Sequence, residues 1–318
     1  MATFAKQTFN TSTYASFRPT YPRQLFDYIF KFHEQGPASG SASRSRWDLA
    51  VDLGCGTGQA TIELSPFKRV IGVDPSQKMI EGARAHVESL GLQSSNRFEF
   101  VQGPAEDLGF LQDGSVDLLV AAQAAHWFDW QRAWTEHARV LRPGGTSAFW
   151  CYSEFRLSQF PSLTPLITEY SQGTDPATSL GPHWQRPGRT ILDDHLVDVP
   201  EPEKVVGPGV FGQLQRVYFT APWEGSHYPE LPKPHLPVIL RKKMSWSDLL
   251  AYLRTWSSLH TFQERYPEDS DTEGGDIAVR FRRKLMEHVA AAEDTPVQED
   301  ATLDIEWPLA MILVKKAL

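Results

Sequence analysis

An apolar run from Trp47 to Leu53 ends in Gly54-Cys55-Gly56-Thr57-Gly58, three glycines at alternate positions, and a helix-capable segment, Gln59 to Ser65, follows. Strand, glycine turn and helix in that order make a βα unit of an α/β sheet. Glycine keeps the turn clear of side chains and lets backbone N–H groups approach a ligand at the positive end of a helix. A cofactor carboxylate or phosphate suits such a turn. A second apolar run, Val70-Ile71-Gly72-Val73, ends at Asp74, where an acid at the tip of the second strand accepts hydrogen bonds from ribose hydroxyls. The spacing is not G-x-G-x-x-G, which leaves room for a pyrophosphate, so a dinucleotide-dependent oxidoreductase is the weaker reading of these elements.

The chain around this unit keeps the α/β alternation. Pro22 opens a helix with Leu25, Phe26, Ile29, Phe30 and His33 on one face. The pattern then predicts a strand at Val70 to Asp74, a helix at Ser76 to Leu90, strands at Phe98 to Gln102 and Val116 to Ala122, and a helix at Trp130 to Leu141. A turn, Arg142-Pro143-Gly144-Gly145, introduces a strand at Ser147 to Cys151. Residues 36 to 46 are small and polar and read as a mobile loop. Ligands of such sheets bind beyond the carboxyl ends of the strands, at the switch in strand order. Gly54 to Gly58, Asp74, Ala105 with Glu106, and Gln123 to Trp127 all fall there.

Three regions are expected: residues 1–152, an arm and cofactor-binding core; residues 153–213, where Pro and Gly become frequent, an insertion over the sheet's carboxyl edge; and residues 214–318, the remainder of the core. The last region holds a strand at Leu214 to Phe219, a substrate-facing helix at about 245–261 capped by Ser245, and an acidic loop at 263–276. A helix at 277–291 and a closing hairpin at Leu303 to Val314 follow.

Composition excludes several functions. The net charge of −8 without a basic block argues against a nucleic-acid partner. No run of eighteen apolar residues exists and the first residues are polar, so no membrane span is expected and the cytoplasm is the default. The two cysteines, Cys55 and Cys151, make no disulfide framework, and the histidines lack metal-ligand spacing, so no metal is expected. No obligate protein partner is evident; the partner is a small-molecule substrate.

The turn Asp52-x-Gly54-x-Gly56-x-Gly58 resembles that of class I S-adenosylmethionine (SAM) methyltransferases. The likeness extends through Tyr14-Ala15-Ser16-Phe17-Arg18-Pro19-Thr20-Tyr21-Pro22, Ala125-His126-Trp127-Phe128, Leu180-Gly181-Pro182-His183-Trp184 with Pro187-Gly188-Arg189, and Tyr252-Leu253-Arg254-Thr255-Trp256-Ser257. These blocks look like the fungal trans-aconitate methyltransferases and related fungal enzymes acting on small molecules. The likeness covers nearly the whole chain and departs at 36–46 and at the Pro-rich 221–237. It implies a Rossmann-like, mostly parallel seven-stranded sheet with helices on both faces and a helical lid.

By this resemblance SAM is the cofactor and S-adenosylhomocysteine the product. Tyr14 and Arg18 lie on an arm closing over SAM, with Arg18 pairing its carboxylate. Asp52, Gly54, Cys55, Gly56, Thr57 and Gly58 hold the methionyl end and Asp74 the ribose, with Pro75 also in the cofactor site. Met79, Ala105 and Glu106 meet the adenine, and Gln123 and Ala124 complete the cofactor site.

His126 and Trp127 occupy the loop where the methyl group is presented, His126 as base, donor or packed ring. Trp184, Trp256 and His260 are candidate pocket walls, and Arg186, Arg189 and Arg254 candidate partners of substrate carboxylates. The expected reaction is methylation of a carboxylate oxygen of a small, trans-aconitate-like acid. The alternatives are methylation of a hydroxyl or enol of a secondary metabolite, and a SAM-binding protein that no longer methylates.

Overall fold

The computed structural model describes residues 17–35, 46–95, 97–221, 231 and 234–318. Tyr14 and residues 36–45 of the predicted loop at 36–46 lie outside them. Helix α1, Arg23–Glu34, starts behind Pro22 and buries the expected face of Leu25, Phe26, Ile29, Phe30 and His33. Strands β1 (Leu49–Leu53), β2 (Arg69–Asp74), β3 (Phe98–Gln102), β4 (Val116–Ala122) and β5 (Leu141–Tyr152) follow. Helix α2 (Gln77–Ser89) follows β2 behind an N-cap serine, Ser76, and helix α3 (Trp130–Val140) follows β4 behind Asp129.

Two local expectations change. The glycine turn leads into a single 3-10 turn, Thr61–Leu64, rather than an α-helix, because Pro66 restricts Ser65 and leaves no length for one. Arg142 to Gly145 do not stand outside β5: they form an irregularity within it, where pairing jumps from Val116↔Leu141 to Leu118↔Thr146 and Gly144 takes φ +76°.

The segment after β5 holds β6 (Arg156–Leu157) and helices α4 (Thr164–Gln172), α5 (Gly188–Asp193) and α6 (Glu203–Val206). Then come β7 (Gln215–Ala221), β8 (His235–Pro237), β9 (Leu240–Ser245), α7 (Trp246–Leu253), α8 (Ser257–Arg265), α9 (Ile277–Glu293), β10 (Thr302–Trp307) and β11 (Leu309–Lys315).

The main sheet runs β3-β2-β1-β4-β5-β11-β7-β8. Strands β1 to β5 are parallel to one another, and β11 is antiparallel to both β5 and β7. The sheet therefore has eight strands where seven were expected. The extra one, β8, pairs parallel with β7 and is too short and Pro-bounded to show a strand period in sequence. No hairpin joins β10 to β11. A single residue, Pro308, separates them, and the chain bends there from a small β6-β10-β9 sheet into the main one.

Alternation along β4 builds the two cores. Leu118 and Val120 pack with α1, Trp150 and α7, whereas Leu119 and Ala121 pack with Trp130, Ala133 and Trp134 of α3. Fully burying a Leu or Val side chain such as those of β4 is worth about 1.5–3 kcal/mol. The carboxyl ends of β1, β2, β4 and β5 are thereby held rigidly along one edge. The order reverses between β1 and β4, which opens a crevice beyond those ends.

Candidate functional site

A cavity of about 510 Å³ occupies this crevice, within the range of small-molecule sites. The three turn glycines divide their work. Gly54 sits at φ +68°, and a Cβ there would collide with the Cβ of Ala124. Gly56 sits at φ +54° with nothing within 4 Å of its Cβ position and lines the cavity. Gly58 packs against Ala83 of α2 instead.

Four of the turn's N–H groups already have partners within the fold. The Gly54 and Cys55 N–H groups donate to Val73 O at 2.7 and 3.0 Å, and Gly58 N–H to Cys55 O at 2.9 Å. Gly56 N–H donates to Asp74 Oδ2 at 3.0 Å, while Asp74 Oδ1 accepts from Ser76 N–H at 2.8 Å. Asp74 lines the cavity, and burial raises its carboxyl pKa. A carboxylate accepts about four hydrogen bonds, so two backbone donors leave capacity for a ligand.

Arg18, Cys55, Pro75, Met79, Ala105, Glu106, Gln123 and Ala124 also line the cavity. Arg18 donates to Tyr152 Oη and to Thr255 O, both at 3.0 Å. Glu106 Oε1 accepts from Asp129 N–H at 2.8 Å. Gln123, at φ +56°, directly follows β4 in a conformation that non-glycine residues rarely adopt, and its amide is locked to the backbone of Tyr152 at 2.7 and 3.0 Å. Asp52, Thr57 and Gly58 do not line the cavity. Asp52 is fully buried, accepts from Thr61 Oγ1 at 2.6 Å, and burial pushes its carboxyl pKa up to about 7.

His126 and Trp127 line the cavity from the loop after β4. The His126 ring is buried with Nδ1 3.4 Å from Cys151 Sγ. Burial, then the positive charges of Arg189 and Arg18, lower its pKa to about 3, so it is neutral at physiological pH. Trp127 is 41% exposed at the rim, close against Gly188 at the start of α5, whose Cβ position lies 2.7 Å from the indole.

Trp184, Arg189 and Trp256 reach the same cavity; Arg186, Arg254 and His260 do not line it. Arg186 donates to Thr190 Oγ1 at 2.6 Å on the surface, Arg254 pairs with Asp276 at 3.4 Å, and His260 approaches Glu264 at 3.5 Å. His260 misses because the predicted helix at 245–261 breaks: α7 ends at Leu253 and Trp256 is the extended N-cap of α8. Arg18 takes the Thr255 carbonyl at that break.

Sequence reasoning overlooked Glu154, Tyr152 and Tyr252, all lining residues. The carboxyl-end rule pointed to the first two, since Tyr152 ends β5 and Glu154 lies two residues beyond it.

The sheet order, the glycine turn joined to an acid on the next strand, and a cavity beyond both define a Rossmann-like methyltransferase architecture. A family profile described as a methyltransferase domain matches residues 51–149. The chain is 34% identical over 314 residues to a "Probable S-adenosylmethionine-dependent methyltransferase" of Saccharomyces cerevisiae, covering 98% of each chain. It is 33% identical over 325 residues to a methyltransferase of Claviceps purpurea, covering 99% of this chain and 94% of that one. The solved structure of a "Putative Type II Methyltransferase" from Anaeromyxobacter dehalogenans superposes with a TM-score of 0.61 at 27% identity, covering 94% of this chain and 97% of that one. The chain belongs to the SAM-dependent methyltransferases and is an enzyme of that family.

Proposed function

We propose that this enzyme methylates a carboxylate oxygen of a small organic acid. Bound SAM supplies a methyl group on a positively charged sulfur. The residues present fit it: the open side of Gly56 gives room for the methionyl end, Asp74 has acceptor capacity for ribose hydroxyls, and Met79 and Ala105 offer apolar surface to the adenine with Glu106 beside it. Arg18 would hold the methionyl carboxylate.

Residues 153–213 act as the cover, contributing Trp184, Gln185, Arg189 and Leu192 to the cavity wall. A cover excludes water, and holding the reactants in line contributes several kcal/mol to lowering the barrier.

The neutral His126 carries the choice of acceptor. An imidazole that protonates only near pH 3 is a weak base, ill suited to removing a proton from a hydroxyl. A carboxylic acid, with a pKa of about 4, is already ionised and has no proton to lose. Arg189 on the cavity wall supplies a cation, with Trp184, Tyr252 and Trp256 around it. The test is incubation with SAM and a panel of carboxylic acids and phenols, with mass spectrometry of the products. A mono-methyl ester of a carboxylic acid is the expected result; methylation confined to phenols overturns the reading.

A further inference from the structure

Arg189 reaches the cavity wall already surrounded. Its Nη2 is ion-paired with Glu154, and its Nε lies 2.7 Å from Asp193, one helical turn on. Gln172 Nε2, from the end of α4, donates to Glu154 Oε2 at 2.9 Å and to Asp193 Oδ1 at 3.4 Å, tying the two carboxylates together. The indole of Trp184 lies 4.0 Å from the guanidinium carbon, covering one face of the cation. The Arg189 and Glu154 side chains are 8% and 4% exposed, so water screens little of this cluster.

We propose that Glu154, backed by Gln172 and Asp193, sets the charge of the acceptor, restricting the site to acids that carry one carboxylate on a flat apolar body. The inference rests on the carboxylate reading above and narrows it.

One guanidinium faces two protein carboxylates, so the cluster is not a surplus of positive charge awaiting a polyanion. A first acceptor carboxylate gains Arg189 and meets Glu154. Each further carboxylate meets Glu154 again. Among the described lining residues the other guanidinium is that of Arg18, which already donates to Tyr152 and Thr255. Arg186 and Arg254, the cations that would have matched a polycarboxylate, point elsewhere. Like charges brought together out of water are strongly disfavoured. Aromatic walls at Trp184, Trp256 and Tyr252 suit a flat body instead.

The test is a charge series on planar unsaturated bodies: crotonate, fumarate and trans-aconitate, then benzoate, phthalate and benzene-1,3,5-tricarboxylate, assayed with SAM for kcat and KM. The wild type should favour the one-carboxylate acid of each set by about tenfold or more in kcat/KM. Glu154→Gln keeps an acceptor for Gln172 while removing the charge, and Asp193→Asn does the same on the other side of the guanidinium, so one misfolded variant does not end the experiment. Each should raise the di- and tricarboxylates relative to the monocarboxylate by about tenfold, through the acceptor KM, with the KM for SAM unchanged within about twofold. An unchanged ratio in the folded variants, or a wild type that prefers the tricarboxylates, overturns the inference while leaving carboxylate methylation standing. Failure of every carboxylic acid overturns both.

Discussion

The Gly56 amide donates to Asp74 Oδ2 across 3.0 Å, so the turn after β1 and the tip of β2 form one unit. The same carboxylate also receives the Ser76 amide at the start of α2. A cofactor engaging Asp74 therefore touches a group that also shapes the turn beside it.

Replacing Asp74 with alanine should weaken SAM binding by about tenfold to a hundredfold, the loss of a charge-assisted contact. Isothermal titration calorimetry reads it. An affinity within twofold of wild type would remove Asp74 from the cofactor site.

Two glycine substitutions should separate fold from binding. Gly54→Ala drives a Cβ into Ala124 at a positive φ, so the melting temperature should fall by several degrees. Gly56→Ala also meets a positive φ, at about 1–2 kcal/mol, but its Cβ enters open cavity. That variant should stay folded and lose SAM affinity disproportionately, by calorimetry against thermal melting.

His126→Gln should lower kcat/KM for a carboxylic acid by less than about tenfold, whereas loss of a general base costs about 100-fold or more. The wild-type rate profile should show no limb near pH 6.5 from this ring, since its pKa lies at about 3. The folded pKa is below the unfolded 6.5, so the neutral ring favours folding above pH 6.5 and that contribution is lost as pH falls toward 3. A 100-fold loss in kcat would restore the hydroxyl reading.

Asp52 moves stability the other way. Its folded pKa of about 7 lies above the unfolded 3.8, so the folded state holds the proton more tightly and stability falls as pH rises between these values. Asp52→Asn should flatten that slope, with an upper bound of about 4 kcal/mol on the difference. Urea melts at pH 4 and pH 8 measure it; equal slopes in both proteins would show that Asp52 does not titrate there.

Arg254→Ala should change the acceptor KM by less than about twofold. Its side chain is half exposed and pairs with Asp276 at 3.4 Å outside the cavity, an arrangement worth about 0–1 kcal/mol. A tenfold rise in KM would return Arg254 to the acceptor site.

The strands at Phe98–Gln102 and Val116–Ala122 were legible to the residue, because short apolar runs bounded by turn residues leave little choice of ends. β8 was not, having three residues and no period. Trp256 and His260 looked like one helical face by spacing, yet Trp256 is the N-cap of α8. The Arg18 contact to Thr255 spans 237 positions of chain, and no local pattern reports it.

The amino-acid order alone determined the alternating sheet, the position of the crevice and the glycine turn with its acid, because backbone conformation and side-chain period are local properties. Only the tertiary structure decided which of three arginines faces the cavity, that Glu154 and Asp193 already hold it, and that His126 is neutral. Charge and basicity in a buried site depend on neighbours brought from distant parts of the chain and on the water they exclude.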